Sequence, residues 1–193
     1  MCDLGTVIST TSGGTPSRKN AEYYESSDIC WVKSKELLGT YIIDTEEHIN
    51  ELAICNSSAK LMPKHTVLLA MYGATVGAYG VISSQMTCNQ AVCGLLENNK
   101  YPYTYLFQFA KESQQQLIKQ AVGSAQQNIS QVLIKQMQIH SNFDKIANFH
   151  ECAIPIHHKI ETMQRENVFL QNIRDTLLPK LMSGELDVSD LEI

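Results

Sequence analysis

Two hydrophobic rhythms divide this chain of 193 residues. Up to about residue 140, short apolar runs alternate with turn-forming residues. From Asn142 onward the apolar positions follow a helical period. Thr66 to Tyr72 is β-branched and apolar and predicts a strand. Gly73-Ala74-Thr75-Val76-Gly77 reads as a tight turn into a second strand, Ala78 to Ser83. A third, Thr87 to Leu96, carries Asn89-Gln90 within it. Leu4 to Thr10 and Ile29 to Val32 add two further strands. Residues 33–38 read as a turn or short helix, and residues 44–61 as a helix closed by Pro63. Tyr103 to Gln120 predicts a helix with a Leu/Phe/Ile face. Ser130 caps a short helix or strand that runs to Met137. Thr11 to Asn20, with two glycines, a proline and hydroxyls, is turn chemistry. The expectation is an α+β fold: a small, mostly antiparallel sheet with helices, then one long C-terminal helix of coiled-coil type.

In that helix Ile156, Ile160, Met163, Asn167, Leu170, Arg174 and Leu177 are spaced 4, 3, 4, 3, 4 and 3 residues apart. This is a heptad seam, and it asks for a partner helix. Asn167 and Arg174 take successive a positions. A polar a residue costs stability and fixes register, so Asn167 is a candidate register pin. The alternative is a helix packed on its own domain, with Asn167 at an exposed edge. Pro155 would kink the helix or mark its start. The expected domains are residues 1–141, a helix over 142–183, and an acidic tail over 184–193.

Hydrophobic content of 44% and charged content of 18% suit a folded protein. No stretch of eighteen residues is uniformly apolar, so no membrane partner is expected. Met1-Cys2-Asp3-Leu4-Gly5 lacks the basic and apolar regions of a secretory signal. The net charge of −5 is unevenly spread. Residues 60–140 carry six Lys and two Glu, between ends that each carry nine acids. Cys2, Cys30, Cys55, Cys88, Cys93 and Cys152 form no C-x-x-C pair. Their expected state is buried free thiols in a reducing cytoplasm.

Several chemistries are missing. There is no P-loop and no G-x-G-x-x-G. Gly73, Gly77 and Gly80 follow a strand, but a second strand rather than a helix comes next, so no helix N-terminus awaits a dinucleotide. Asn99-Lys100-Tyr101-Pro102-Tyr103 lacks the second proline of an amino-methyltransferase motif. No H-E-x-x-H occurs. His157 and His158 point about 100° apart on their helix and read as solvated. No catalytic residue, metal ligand or cofactor is expected on this chain.

What remains is a set of polar loops whose side chains suit nucleic acid. They are Thr15, Ser17, Arg18 and Lys19; Lys33 and Lys35; Tyr72 and Thr75; Asn89 and Gln90; Gln126, Gln127 and Asn128. Asn and Gln can pair with adenine edges, and Arg or Lys with guanine. Hydroxyls, Lys and exposed N–H groups suit phosphates. The plainer readings are a solvated Gln-Gln-Asn loop, and an Asn89-Gln90 pair that stitches the sheet to a neighbouring loop.

The order of these segments resembles a known family. Ser12-Gly13-Gly14-Thr15-Pro16-Ser17, Tyr23-Tyr24, Ile29-Cys30-Trp31-Val32 and Glu36-Leu37 are followed by Leu68 to Gly77 and Cys88-Asn89-Gln90-Ala91. Gly123 to Ser130 and Glu166-Asn167 come next, then Ile173 to Leu186 with Leu177-Leu178-Pro179-Lys180-Leu181-Met182-Ser183-Gly184-Glu185. Together they resemble the DNA specificity (S) subunit of type I restriction–modification systems, over nearly the whole chain. The resemblance implies a non-catalytic subunit. It would hold a methyltransferase (modification) subunit that uses S-adenosylmethionine and, through it, a restriction subunit that hydrolyses ATP. Each recognition domain would read one half of a bipartite site in double-stranded DNA, and long helices would set the gap.

Two features depart from the family pattern. The full-length family has two recognition domains and two spacers, and here there is one of each. That implies a half-subunit that pairs with itself, or a fragment. The Pro-Pro-x-x-Glu-Gln that leads into the family's spacer is replaced by residues 140–150. An antiparallel pair of copies would place identical heads at opposite ends, reading inverted half-sites. The competing expectation is an adaptor that binds the modification subunit without reading DNA.

Overall fold

A computed structural model describes residues 1–26, 28–122 and 128–186. The chain runs through β1 (Cys2–Asp3), α1 (Leu4–Val7), β2 (Ser9–Ser12), β3 (Ile29–Val32), β4 (Tyr41–Ile42), β5 (His48–Ile49) and α2 (Glu51–Cys55). It continues through β6 (Val67–Ala70), β7 (Tyr79–Ile82), β8 (Thr87–Cys88), β9 (Val92–Leu96), α3 (Tyr103–Val122), α4 (Gln131–Lys135), β10 (Gln138–Ile139) and α5 (Phe143–Met182). The main sheet has the order β2-β9-β6-β7-β4 and is antiparallel except where β4 joins β7. A smaller sheet has the order β5-β3-β8, and β1 pairs with β10. The fold is α+β, as the patterning predicts. Among the described residues no helix is long and apolar enough to cross a membrane.

The apolar run of β6 is explained by burial on both faces. Val67, Leu69 and Met71 face a cluster with Leu106, Ala110 and Leu117 of α3. Leu68 and Ala70 face the other way, toward Val32, Met62, Ile82, Met86 and Val92. A third cluster, around Trp31, Tyr23, Ile49 and Ala53, supports the smaller sheet.

Four local expectations are corrected. Leu4 to Thr10 is not one strand, because Leu4–Val7 makes a helical turn before β2. The turn sinks Leu4 and Ile8 into the core, where a side chain of that size gains about 1.5–3 kcal/mol. Strand propensity spans only about 1 kcal/mol. Residues 44–61 are helical only over Glu51–Cys55. The Thr45 hydroxyl accepts from Trp31 N–H at 3.2 Å and donates to Glu47 O at 2.7 Å. Asn50 caps α2 by accepting from Ala53 N–H. Such side-chain bonds to backbone compete with a helix ladder.

Thr87 to Leu96 is split, with β8 in the small sheet and β9 in the large one. The switch falls at Asn89, whose N–H donates to Val32 O and whose carboxamide accepts from Ala91 N–H. Finally, His157 is buried, whereas His158 is exposed as expected.

Helix α5 starts at Asn142, whose side chain accepts from Lys145 N–H. It passes through Pro155 rather than starting there. Both Pro155 and Glu151, whose carbonyl Pro155 leaves unpaired, are exposed to solvent. At 40 residues it is about 60 Å long. Ile146, His150, Ala153, His157 and Glu161 form the stripe that meets the head, each half-buried or buried. Beyond Val168 every described helix residue is exposed, so the last third of the helix projects from the head.

Candidate nucleic-acid interface

Four of the five predicted polar clusters meet where three strands end together, whereas Lys33 and Lys35 follow β3 of the smaller sheet. β2 runs antiparallel to β9, and β9 to β6. The C-terminal ends of β2 and β6 therefore flank the N-terminal end of β9. Thr15 donates its hydroxyl hydrogen to Gln90 Oε1. Met71 N–H bonds Ala91 O, and Tyr72 bridges to Asn128. Thr75 folds back on Tyr72 O at 3.1 Å. Thr15, Tyr72, Gln90 and Asn128 thus share one edge, all exposed. Gln126 and Gln127 lie outside the described residues.

Gly13 and Gly14 are required there by close approach. A Cβ on Gly13 would sit 1.7 Å from Cys88 O, and one on Gly14 would sit 2.2 Å from Ser58 Oγ. The Gly14 carbonyl accepts from Trp31 Nε1–H at 3.0 Å, and Pro16 O accepts from the Tyr24 hydroxyl at 2.7 Å. The loop is pinned, and it presents Ser17, Arg18 and Lys19 on a rigid base.

The basic residues are not equivalent. Arg18 lies over the Tyr24 ring at 4.1 Å and pairs with Glu47 at 2.5 Å. Lys33 bonds Glu47 at 2.6 Å and Glu46 at 3.2 Å. Its side chain is only 18% exposed, so it is built into the head rather than offered to a ligand. Lys35 pairs with Glu46 at 2.6 Å. Hydrogen bonding to Glu47 raises the Lys33 ammonium above the usual lysine range. Glu47 is held down chiefly by Lys33, and Glu46 chiefly by Lys35. Among the described residues Lys19 makes no ion pair. Asn89 is half-buried and spends its carboxamide on the local turn, whereas Gln90 is exposed.

The family model for the type I restriction modification DNA specificity domain matches residues 2–141. The chain belongs to that family. A specificity subunit of the type I restriction enzyme HindI from Haemophilus influenzae is 26% identical over 191 residues, covering 96% of this chain and 40% of the relative. The MjaIX specificity subunit of Methanocaldococcus jannaschii is 26% identical over 200 positions, covering 97% and 44%. The S subunit of M. genitalium shares the fold, with TM-score 0.66 and 17% identity over 93% of this chain and 44% of that one. The HsdS subunit of Thermoanaerobacter tengcongensis does so at TM-score 0.60 and 14% identity, over 96% and 45%. This specificity-domain chain therefore spans less than half the length of the relatives it matches.

The seam residues Ile156, Ile160, Met163, Asn167, Leu170, Arg174 and Leu177 are all exposed. They lie about 100° around the helix from the stripe that meets the head. The helix does pack on its own domain, but through that second stripe, and the heptad face stays uncovered. Ile156 at 61%, Met163 at 50% and Leu170 at 53% exposure form an apolar strip that no described residue covers.

The sequence reading missed the joint between head and helix. His157 Nδ1 lies 3.1 Å from the Tyr41 hydroxyl. His150 Nδ1 lies 2.8 Å from the Thr104 hydroxyl. Glu161 holds Arg165 at 2.8 Å and Lys64 at 3.2 Å, and Arg165 donates to Ser83 O at 3.0 Å. His65 stacks on Tyr103 at 4.0 Å. Burial pushes His157 below the usual imidazole range. Burial favours the neutral acid at Glu161, yet Arg165 and Lys64 outweigh it and hold the carboxyl below its usual range. The available signal was a second stripe at helical spacing on α5, populated by His and Glu instead of Leu.

The six cysteines are free thiols. Only Cys88 and Cys93 are fully buried, and burial pushes both up to about 12. Cys55 and Cys152 are exposed, which corrects the expectation of uniformly buried thiols.

Proposed function

We propose that this chain is a non-catalytic, DNA-reading specificity component of a type I restriction–modification complex. Its head reads one half of a bipartite site, and its helix sets the distance to a second reader. The observation that carries this reading is the convergence of Thr15, Tyr72, Gln90 and Asn128 at one sheet edge, with Ser17 and Lys19 on the pinned loop that continues from Thr15. Polar donors and acceptors there can meet base edges and phosphates. A second copy pairs along the uncovered seam. In an antiparallel pair the two-fold falls beside Asn167, midway between Ile156 and Leu177. The modification subunit and, through it, the restriction subunit bring S-adenosylmethionine and ATP chemistry, and the head itself holds neither cofactor. The setting is the bacterial or archaeal cytoplasm, where the DNA is.

Methylome sequencing of a host that carries this chain with its modification subunit tests the proposal. A methylated, inverted and gapped motif is expected, and Gln90→Ala should relax one position in each half-site. Methylation without sequence preference would overturn the reading. One observation favours the adaptor alternative. Glu46 and Glu47 already engage Arg18, Lys33 and Lys35, which leaves one net positive charge among the five. A gel shift on random duplexes, with and without the modification subunit, separates the two. Affinity that appears only with that subunit and ignores head substitutions supports the adaptor.

A further inference from the structure

The small sheet carries three side chains that the proposed reading does not use. Cys30 on β3 and His48 on β5 are direct cross-strand partners, so both project from one face. Asp44, in the segment between those strands, completes the triangle. Its Oδ1 lies 2.8 Å from His48 Nε2 and 3.6 Å from Cys30 Sγ. One donor atom of each residue lies within 4.8 Å of the others. We propose that Cys30, Asp44 and His48 bind a divalent transition-metal ion, with Zn2+ the best match and water as fourth ligand.

The donor types argue for the class of ion. A thiolate, an imidazole and a carboxylate suit borderline metals, whereas Mg2+ and Ca2+ take oxygen ligands. With bonds of about 2.0–2.3 Å, tetrahedral donors stand about 3.3–3.5 Å apart. Seating the ion therefore needs shifts of only about an ångström per donor. The carboxylate is already oriented, because Thr45 N–H donates to the same Asp44 oxygen at 2.8 Å. Such an outer bond fixes a ligand's direction. Asp44 is 57% exposed, which leaves an approach from solvent and room for the water ligand.

On binding, the Cys30 thiol loses its proton to solvent as the sulfur–metal bond forms. The hydrogen that His48 Nε2 donates to Asp44 is released to solvent, the ring carries its one hydrogen on Nδ1, and the freed Nε2 lone pair binds the metal. Affinity therefore falls as pH falls. The site also has a consequence for the reading edge. Asp44 opens the segment whose Glu46 and Glu47 hold Arg18, Lys33 and Lys35. A bound ion would fix that segment and, with it, the placement of those cations.

The test uses the full chain, stripped of metal and kept reduced, titrated with Co2+ as an optical substitute for Zn2+. A sulfur-to-cobalt charge-transfer band that saturates at one ion per chain, and is bleached by Zn2+, is expected. Cys30→Ser should abolish the band, and His48→Ala should weaken binding roughly tenfold or more. Cys55→Ser and Cys152→Ser, at the two exposed thiols, should leave it intact. Absence of the band in the parent chain, or its survival in Cys30→Ser, overturns the assignment. Should Cys30→Ser fail to fold, unchanged Co2+ affinity in both His48→Ala and Asp44→Asn overturns it equally.

Discussion

The Tyr41 hydroxyl and His157 Nδ1 stand 3.1 Å apart and tie the last strand of the main sheet to the long helix. The edges of Tyr103 and Phe107 close around the same imidazole, with ring centroids at 5.5 Å and 5.3 Å. Burial keeps both partners uncharged, raising the phenol and lowering the imidazole. The direction in which the helix leaves the head is thus set by a polar joint inside an aromatic box.

That joint predicts a pH dependence. His157 is harder to protonate in the folded chain than in the unfolded chain, whose imidazole titrates near 6.5. Its contribution is complete above that pH and is lost as pH falls toward the lower folded value. Glu97 and Glu161, also held below their usual range, add a loss in the same direction at more acidic pH. Thermal melting should therefore drop between about pH 7 and pH 5, and His157→Gln should flatten the drop. Equal slopes for variant and parent would refute the assignment to His157.

Gly13→Ala should destabilise the head. Its new methyl group would overlap the Cys88 carbonyl oxygen, which is fixed by the switch from β8 to β9. Overpacking against backbone costs about 1–3 kcal/mol. The urea midpoint should fall while the slope of the transition stays the same. A midpoint within error of the parent would show that the loop can move away.

Lys19 and Lys33 should separate in DNA binding by the assembled complex. Lys19 is exposed and makes no ion pair among the described residues, so Lys19→Ala should lower the salt slope of binding by about one. Lys33 is committed to Glu46 and Glu47. Lys33→Ala should leave the salt slope close to that of the parent and lower the melting temperature of the head, because Glu47 loses its chief partner. Affinity measured against salt concentration checks both, and a larger slope change at Lys33 would reverse the roles assigned here.

Asn167→Leu should raise the melting temperature and blur the oligomeric state. A buried polar residue at a heptad a position gives up stability for register. Light scattering and thermal melting read the two effects. Unchanged mass together with unchanged melting would place Asn167 outside any helix pair.

Much of the architecture was legible in the sequence because one-dimensional periods report local burial. The apolar run around Val67 to Ala70, the turn at Gly73 to Gly77 and the helix from Tyr103 were each readable in this way. Leu4 and residues 44–50 were not. There, a buried side chain or a hydroxyl bond to backbone outweighs propensities that amount to less than about 1 kcal/mol per residue. The polar loops were legible by composition, but not the division of labour within them. The sequence contains nothing that says Glu46 and Glu47 will take up the charge of Lys33 and Lys35.

By itself, the order of residues determined an α+β head, a long helix with a heptad seam, and the loop motifs that mark the family. Tertiary structure alone decided which helix face meets the head, since two stripes on α5 compete and only packing selects one. It alone brought Thr15 to Gln90 and Cys30 to Asp44 and His48, because cross-strand register joins residues that no sequence spacing relates.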